Sequence, residues 1–134
     1  MGIYLNPDSS KFEEAVNSDI YVDKTGLLTY TNSVLHTMQK YICISRPRRF
    51  GKSTAANMLT AYYSRGCDAE QIFSQFEIAK DSGFKKYLNK YNTISVNMQE
   101  ILSRSRSIYE LIERFNKLLI RDLKKEYLSL IHIS

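Results

Sequence analysis

Lys40-Tyr41-Ile42-Cys43-Ile44-Ser45, followed directly by Arg46-Pro47-Arg48-Arg49-Phe50-Gly51-Lys52-Ser53-Thr54, is the stretch on which the reading of this chain turns. The first six residues form a compact apolar run, consistent with a buried parallel strand. From Lys52 to about Ser64, Ala55, Met58, Leu59 and Tyr62 recur at helical core spacing, and Gly66 is a stop signal. Strand, loop and helix in that order are the setting in which G-x-x-x-x-G-K-[ST] binds phosphate. Gly51, Lys52 and Ser53 supply its last three elements.

The chemistry follows from the backbone. A loop wrapped round a phosphate points N–H groups inward, and the helix behind it adds its positive N-terminal end. Gly51 permits close approach, Lys52 would reach the β- and γ-phosphates, and Ser53 would give a hydroxyl to Mg²⁺. Thr54 is placed to bond a further phosphate oxygen. The pattern's first glycine falls at Arg46, and Pro47 stiffens the loop and removes one N–H. The plain alternative is that Gly-Lys-Ser-Thr is only a helix N-terminus.

Working outward, 134 residues, 43% of them hydrophobic and 25% charged, fit one ordinary globular domain. No apolar run approaches the roughly 20 residues that span a bilayer. The N-terminus lacks the blocks of a signal peptide. Cys43 and Cys67 are too few for a disulfide framework or zinc site, which points to a reducing, cytoplasmic setting without membrane attachment. Cys43 reads as a small buried hydrophobe and His36 as a surface helix residue. The net charge of +5 suits anions, nucleotide or nucleic acid alike, but the 114–125 helix that holds much of it also carries acids.

Ser10 with Glu13 has capping-box spacing and opens a short helix to Val16. Residues 20–22 are extended, and Leu27, Leu28, Val34, Leu35 and Met38 suggest a helix from Thr25 to Met38. Asp68 with Gln71 indicates a capped helix through about Phe76, and 83–88 a further short turn. Thr93 to Met98 alternates and reads as a second strand. Ser107 with Glu110 caps a long helix bearing Ile108, Leu111, Ile112, Phe115, Leu118, Leu119 and Leu123. Strands alternating with helices predict an α/β domain on a parallel sheet with flanking helices, of which only the first half is present. Residues 128–134 alternate like a third strand, and also look like sequencing-adaptor read-through at the end of a truncated gene. The expected division is therefore 1–127 for the domain and 128–134 for a non-native or truncated tail.

Arg46-Pro-Arg-Arg-Phe-Gly-Lys-Ser53, preceded by Tyr21-Val22-Asp23-Lys24-Thr25-Gly26 and followed by Ile72-Phe73…Phe76-Glu77-Ile78, resembles the bacterial AAA-ATPase-like family over roughly residues 12 to 127. In that light Arg46 is the family's own variant of the loop. The resemblance implies a P-loop NTPase fold of the AAA/STAND-like branch, with ATP and Mg²⁺ as ligands. It implies a nucleotide site of Arg46, Pro47, Arg48, Arg49, Phe50, Gly51, Lys52, Ser53 and Thr54, joined by Asp23 and Lys24 in the region of adenine and ribose. Asp23 or Thr25 serves equally well as a helix N-cap. The family's acidic "LIDEYD" strand and its frequent nuclease-like domain have no counterpart in this sequence. Glu100 lacks the hydrophobic run such an acid needs and reads as a solvent-facing loop residue. ATP binding is thus expected, with hydrolysis belonging to a longer protein and no catalytic base identified. A second reading is a basic nucleic-acid module in which Arg48 and Arg49 face a DNA backbone, or a neighbouring subunit. A small-molecule kinase would need an acid and lid arginines that are not seen.

Overall fold

Helices carry the chain, and the reason lies in where its aromatic residues fall. A computed structural model describes residues 4–18, 21–44, 52–103 and 105–133, with Lys52, Ser53, Glu100 and 126–133 described by backbone alone. The helices are α1 (Ser10–Val16), α2 (Gly26–Val34), α3 (Lys52–Tyr63), α4 (Glu70–Phe73), α5 (Phe84–Tyr87), α6 (Met98–Ser103) and α7 (Ile108–Ile133), with a 3₁₀ turn at Glu77–Lys80.

One core unites the first five helices. Phe12, Leu28, Met58, Tyr62, Phe73 and Ile78 are fully buried together. Phe12 stacks on Phe73 with ring centroids 5.0 Å apart, and Tyr62 meets Phe73 edge-on at 5.4 Å. Such offset and edge contacts add about 0.5–1.5 kcal/mol each beyond the area they bury. Leu5, Ile101 and Leu111 are buried where the N-terminal segment meets α6 and α7, and Tyr4 packs edge-on against Phe115.

The expected parallel sheet is not there. Among the described residues β-pairing is limited to two isolated bridges, antiparallel Leu5–Ile94 and parallel Ser64–Tyr91. An apolar run becomes a strand only when a second backbone lies alongside at roughly 4.8 Å to take its N–H and C=O groups. Residues 41–44 carry no regular secondary structure, no described backbone pairs with them, and Tyr41 is 86% exposed. Cys43, expected to be buried, is exposed for the same reason. The P-loop α/β architecture read from the sequence is therefore corrected to a helical one.

Smaller corrections concern where individual elements begin and end. The segment from Thr93 takes a single bridge at Ile94 and turns helical at Met98, so Glu100 sits on α6 and not in a loop. Helix α2 stops at Val34 because Leu35 is extended and His36 left-handed (φ 63°), which leaves Met38 exposed. His36 thus lies in a turn, where its Nε2 meets the Tyr91 hydroxyl. The cap of α1 comes from Asp8, whose carboxylate accepts the Ser10 N–H and hydroxyl. Helix α4 ends at Phe73, short of Phe76. The backbone of residues 128–133 continues α7 instead of forming a strand.

Candidate functional site

Helix α3 starts at Lys52, where the Gly-Lys-Ser-Thr sequence placed it, and runs twelve residues to Tyr63. The first four N–H groups of any helix have no intrahelical acceptor and carry the positive end of its dipole. The first turn of α3 holds no acid that would offset that charge. Thr54 is half-buried at this end. Arg46, Pro47, Arg48, Arg49, Phe50 and Gly51 lie outside the described residues, as do the side chains of Lys52 and Ser53.

The far end of α3 is held by groups that the sequence did not single out. Asn89, itself left-handed (φ 54°), donates from Nδ2 to the carbonyls of Ala61 and Ser64, both at 2.8 Å, and accepts the Ala69 N–H at 3.0 Å. Terminal carbonyls of α3 and the start of α4 are thus satisfied by one side chain. An Asn that tolerates the left-handed region is the visible signal, but nothing local says which helix it caps.

A buried polar chain fixes α3 against α2. Tyr62 donates its hydroxyl to the Phe84 carbonyl at 2.7 Å and accepts from Asn32 Nδ2 at 3.0 Å. Tyr63 donates to Asn32 Oδ1 at 2.6 Å and shares a hydrogen bond with Thr31 Oγ1 at 2.6 Å. Burial pushes the pKa of both phenols up, so they stay neutral donors. Full satisfaction matters, because an orphaned buried hydroxyl costs about 1–3 kcal/mol.

Asp23 and Thr25 form a second cluster. One Asp23 oxygen accepts the Thr25 N–H (2.8 Å) and hydroxyl (2.6 Å), and the other accepts the Glu77 N–H at 2.9 Å. Fully buried Thr25 accepts the Ile78 N–H at 3.2 Å. Two free N–H groups of the 3₁₀ turn are thereby capped from 53 and 54 residues away. Burial pushes the Asp23 pKa up, but the hydrogen bonds from the Thr25 hydroxyl and the Glu77 and Thr25 backbones outweigh it and hold it below the usual value. The described residues therefore bring Asp23 to the 3₁₀ turn, with Lys24 on the exposed stretch between Asp23 and α2.

Among the described residues no group of three or more His, Cys, Asp or Glu side chains is placed to hold a metal ion, and no helix is long and apolar enough to cross a membrane. A surface hollow lined by Asp68, Glu70, Gln71 and Ser74 carries two carboxylates, the wrong sign for phosphate.

Residues 9–132 match the model of the AAA-ATPase-like family, described as a predicted AAA-ATPase. The chain belongs to that family, which assigns it to ATPase-like, nucleotide-using proteins. No curated protein and no solved structure matches it.

Proposed function

We propose that this chain binds ATP with Mg²⁺ through residues 46–54. The observation that carries the reading is the start of α3 at Lys52, with an acid-free first turn that follows Arg46-Pro-Arg-Arg-Phe-Gly51 in the sequence. N–H groups that open a helix lack intrahelical acceptors, and with the positive helix end they suit a phosphate there. Lys52 is the point charge for the β- and γ-phosphates, Ser53 the hydroxyl ligand of Mg²⁺, and Thr54 a further donor to phosphate oxygen. Mg²⁺ would supply neutralisation of the phosphate charge. Arg46, Arg48 and Arg49 raise the local concentration of the anion, while Phe50 and Pro47 shape the loop. On the adenine–ribose side Lys24 is the contributor, held in place by Asp23, whose two oxygens are engaged by Thr25 and Glu77. No residue is assigned to hydrolysis.

Titration of a fluorescent ATP analogue with Mg²⁺ tests this beside Lys52→Ala. Removing a charge-assisted phosphate contact of about 1.5–3 kcal/mol weakens binding by roughly ten- to a hundredfold. Equal affinity of the two proteins would falsify the proposal. DNA binding that persists in Lys52→Ala, falls steeply with salt and drops when Arg48 and Arg49 are neutralised would favour the nucleic-acid alternative.

A further inference from the structure

The buried residues of this chain fall into two groups, and the long helix belongs to the smaller one. The core shared by α1 to α5 has its last buried member at Leu88, and the half-buried apolar residues packed on it end at Tyr87. Leu5, Ile101 and Leu111 are buried as well but lie outside that core. Helix α7 packs chiefly on α6. Among the described residues, Tyr4 and Leu5 tie it to the start of the chain, since both N–H groups end on Asp122 and the Tyr4 ring meets Phe115.

The N-terminal segment is in turn bound to the approach to α6. The Ser95 N–H donates to the Tyr4 carbonyl at 2.8 Å, and the Asn6 N–H to the Thr93 carbonyl at 2.7 Å. The Thr93 N–H donates to Asn6 Oδ1 at 2.8 Å. Two residues before Thr93 the backbone belongs to the other group. The Tyr91 N–H donates to the Tyr63 carbonyl at 3.0 Å, and the Tyr91 carbonyl accepts the Arg65 N–H at 2.9 Å. The chain therefore changes sides between Tyr91 and Thr93. It changes again at left-handed Asn6 (φ 48°) and Pro7, whose carbonyl accepts from Ser64 Oγ at 3.0 Å.

We propose that residues 4–6 and 93–95 with α6 and α7 form one cooperative unit, which unfolds and detaches while the core of α1 to α5 stays folded. The ground is the disparity in burial. Local stability follows buried apolar contact, and among the described residues ten buried apolar side chains make the core where three hold the smaller unit. Ser64 Oγ and Cys67 Sγ latch the Pro7 carbonyl, so release uncovers the turn that follows α3, where Asn6 lies against Gly66. The chain then has a second state, with the C-terminal end of α3 accessible and α6 and α7 free.

Native-state hydrogen exchange of the whole chain, followed amide by amide in rising sub-denaturing urea, is the test. The amides of Tyr4, Asn6, Ser95 and Leu111, and those of α7 around Asp122, should converge on one opening free energy with one urea dependence. Both should be smaller than the values for the core amides of Phe73 and Asn89. Two variants separate the units. Ile78→Val, in the core, should quicken exchange at Phe73 and Asn89 roughly two- to tenfold and leave the smaller unit unchanged, since its opening does not disturb the core. Leu111→Ala should quicken both sets by the same factor, roughly tenfold or more, because the core amides exchange only from a chain that has already lost the contacts of Leu111. One opening shared by every amide, α7 amides protected as strongly as the core while Tyr4 and Asn6 fray, or Ile78→Val acting on both sets overturns the proposal.

Discussion

The Asp122 carboxylate accepts the Tyr4 backbone N–H at 2.7 Å and the Leu5 N–H at 3.3 Å, joining the middle of α7 to a segment 118 residues earlier in the chain. The group is almost completely buried, and the partners named are main-chain donors that cannot be replaced by another side chain. Charge-assisted bonds of this kind contribute about 1.5–3 kcal/mol, and the N–H groups left behind would be orphaned. Asp122→Ala should therefore lower the free energy of unfolding by about 2–3 kcal/mol. Asp122→Asn keeps one acceptor oxygen and should cost roughly half as much. Urea denaturation checks the ranking, and amide exchange at Tyr4 and Leu5 should quicken in both variants.

Asn89 combines a left-handed backbone with three side-chain hydrogen bonds, and the two contributions can be separated. Asn89→Gly keeps the conformation and loses the bonds, at about 2–3 kcal/mol. Asn89→Ala loses the bonds and adds about 1–2 kcal/mol of left-handed strain. Alanine should be the worse replacement in a thermal melt, although alanine is the better helix former of the two. The opposite order would mean that α3 does not depend on this cap.

Much of the helical layout was legible because its signals are local. The Ser107–Glu110 box is present, Ser107 Oγ accepting the Glu110 N–H at 3.2 Å, with the Glu110 carboxylate reaching back to the Arg106 N–H. Met58 and Tyr62, read from period alone, are core residues. What escaped was every element defined by a distant partner. Lys40–Ser45 has the composition of a strand, but composition does not supply the neighbouring backbone. Asp122 lies among Arg121, Lys124 and Lys125 and reads as a solvated acid until Tyr4 is seen above it. The candidate site divides the same way. The start of α3 at Lys52 follows from the Gly-Lys-Ser-Thr sequence, whereas the Asn32–Tyr62–Tyr63 chain that steadies its other end joins residues some thirty positions apart.

Gly66 tests how tightly the N-terminal segment is seated. A Cβ there would come within 2.3 Å of the Asn6 carbonyl oxygen, a backbone atom that cannot swing aside. Asn6 is meanwhile fixed by its N–H to the Thr93 carbonyl at 2.7 Å and by its side-chain oxygen, which accepts the Thr93 N–H at 2.8 Å. Gly66→Ala must push the two strands of chain apart, an overpacking cost of about 1–3 kcal/mol. A lowered melting temperature with faster amide exchange at Asn6 and Thr93 is expected. A neutral or stabilising substitution would mean that the segment slides freely.

The Asp23 cluster makes a prediction in pH. The folded-state pKa of Asp23 lies below its ordinary value, so its contribution is fully present above the unfolded value of about 3.9 and is lost as pH falls through the lower folded value. Asp23→Asn keeps a side-chain oxygen as acceptor but removes the charge and one acceptor oxygen. Because Asp23 is exposed on one side, the difference should be modest, about 1 kcal/mol, comparable to a helix cap. Urea melts of the two proteins from pH 7 to 2.5 measure it. The other carboxylates titrate in both proteins and cancel in the difference. The gap should hold steady from pH 7 to about 5 and close progressively below about 4. A gap that widened in acid would mean that the carboxylate is destabilising when charged, and that Glu77 and Thr25 do not hold it.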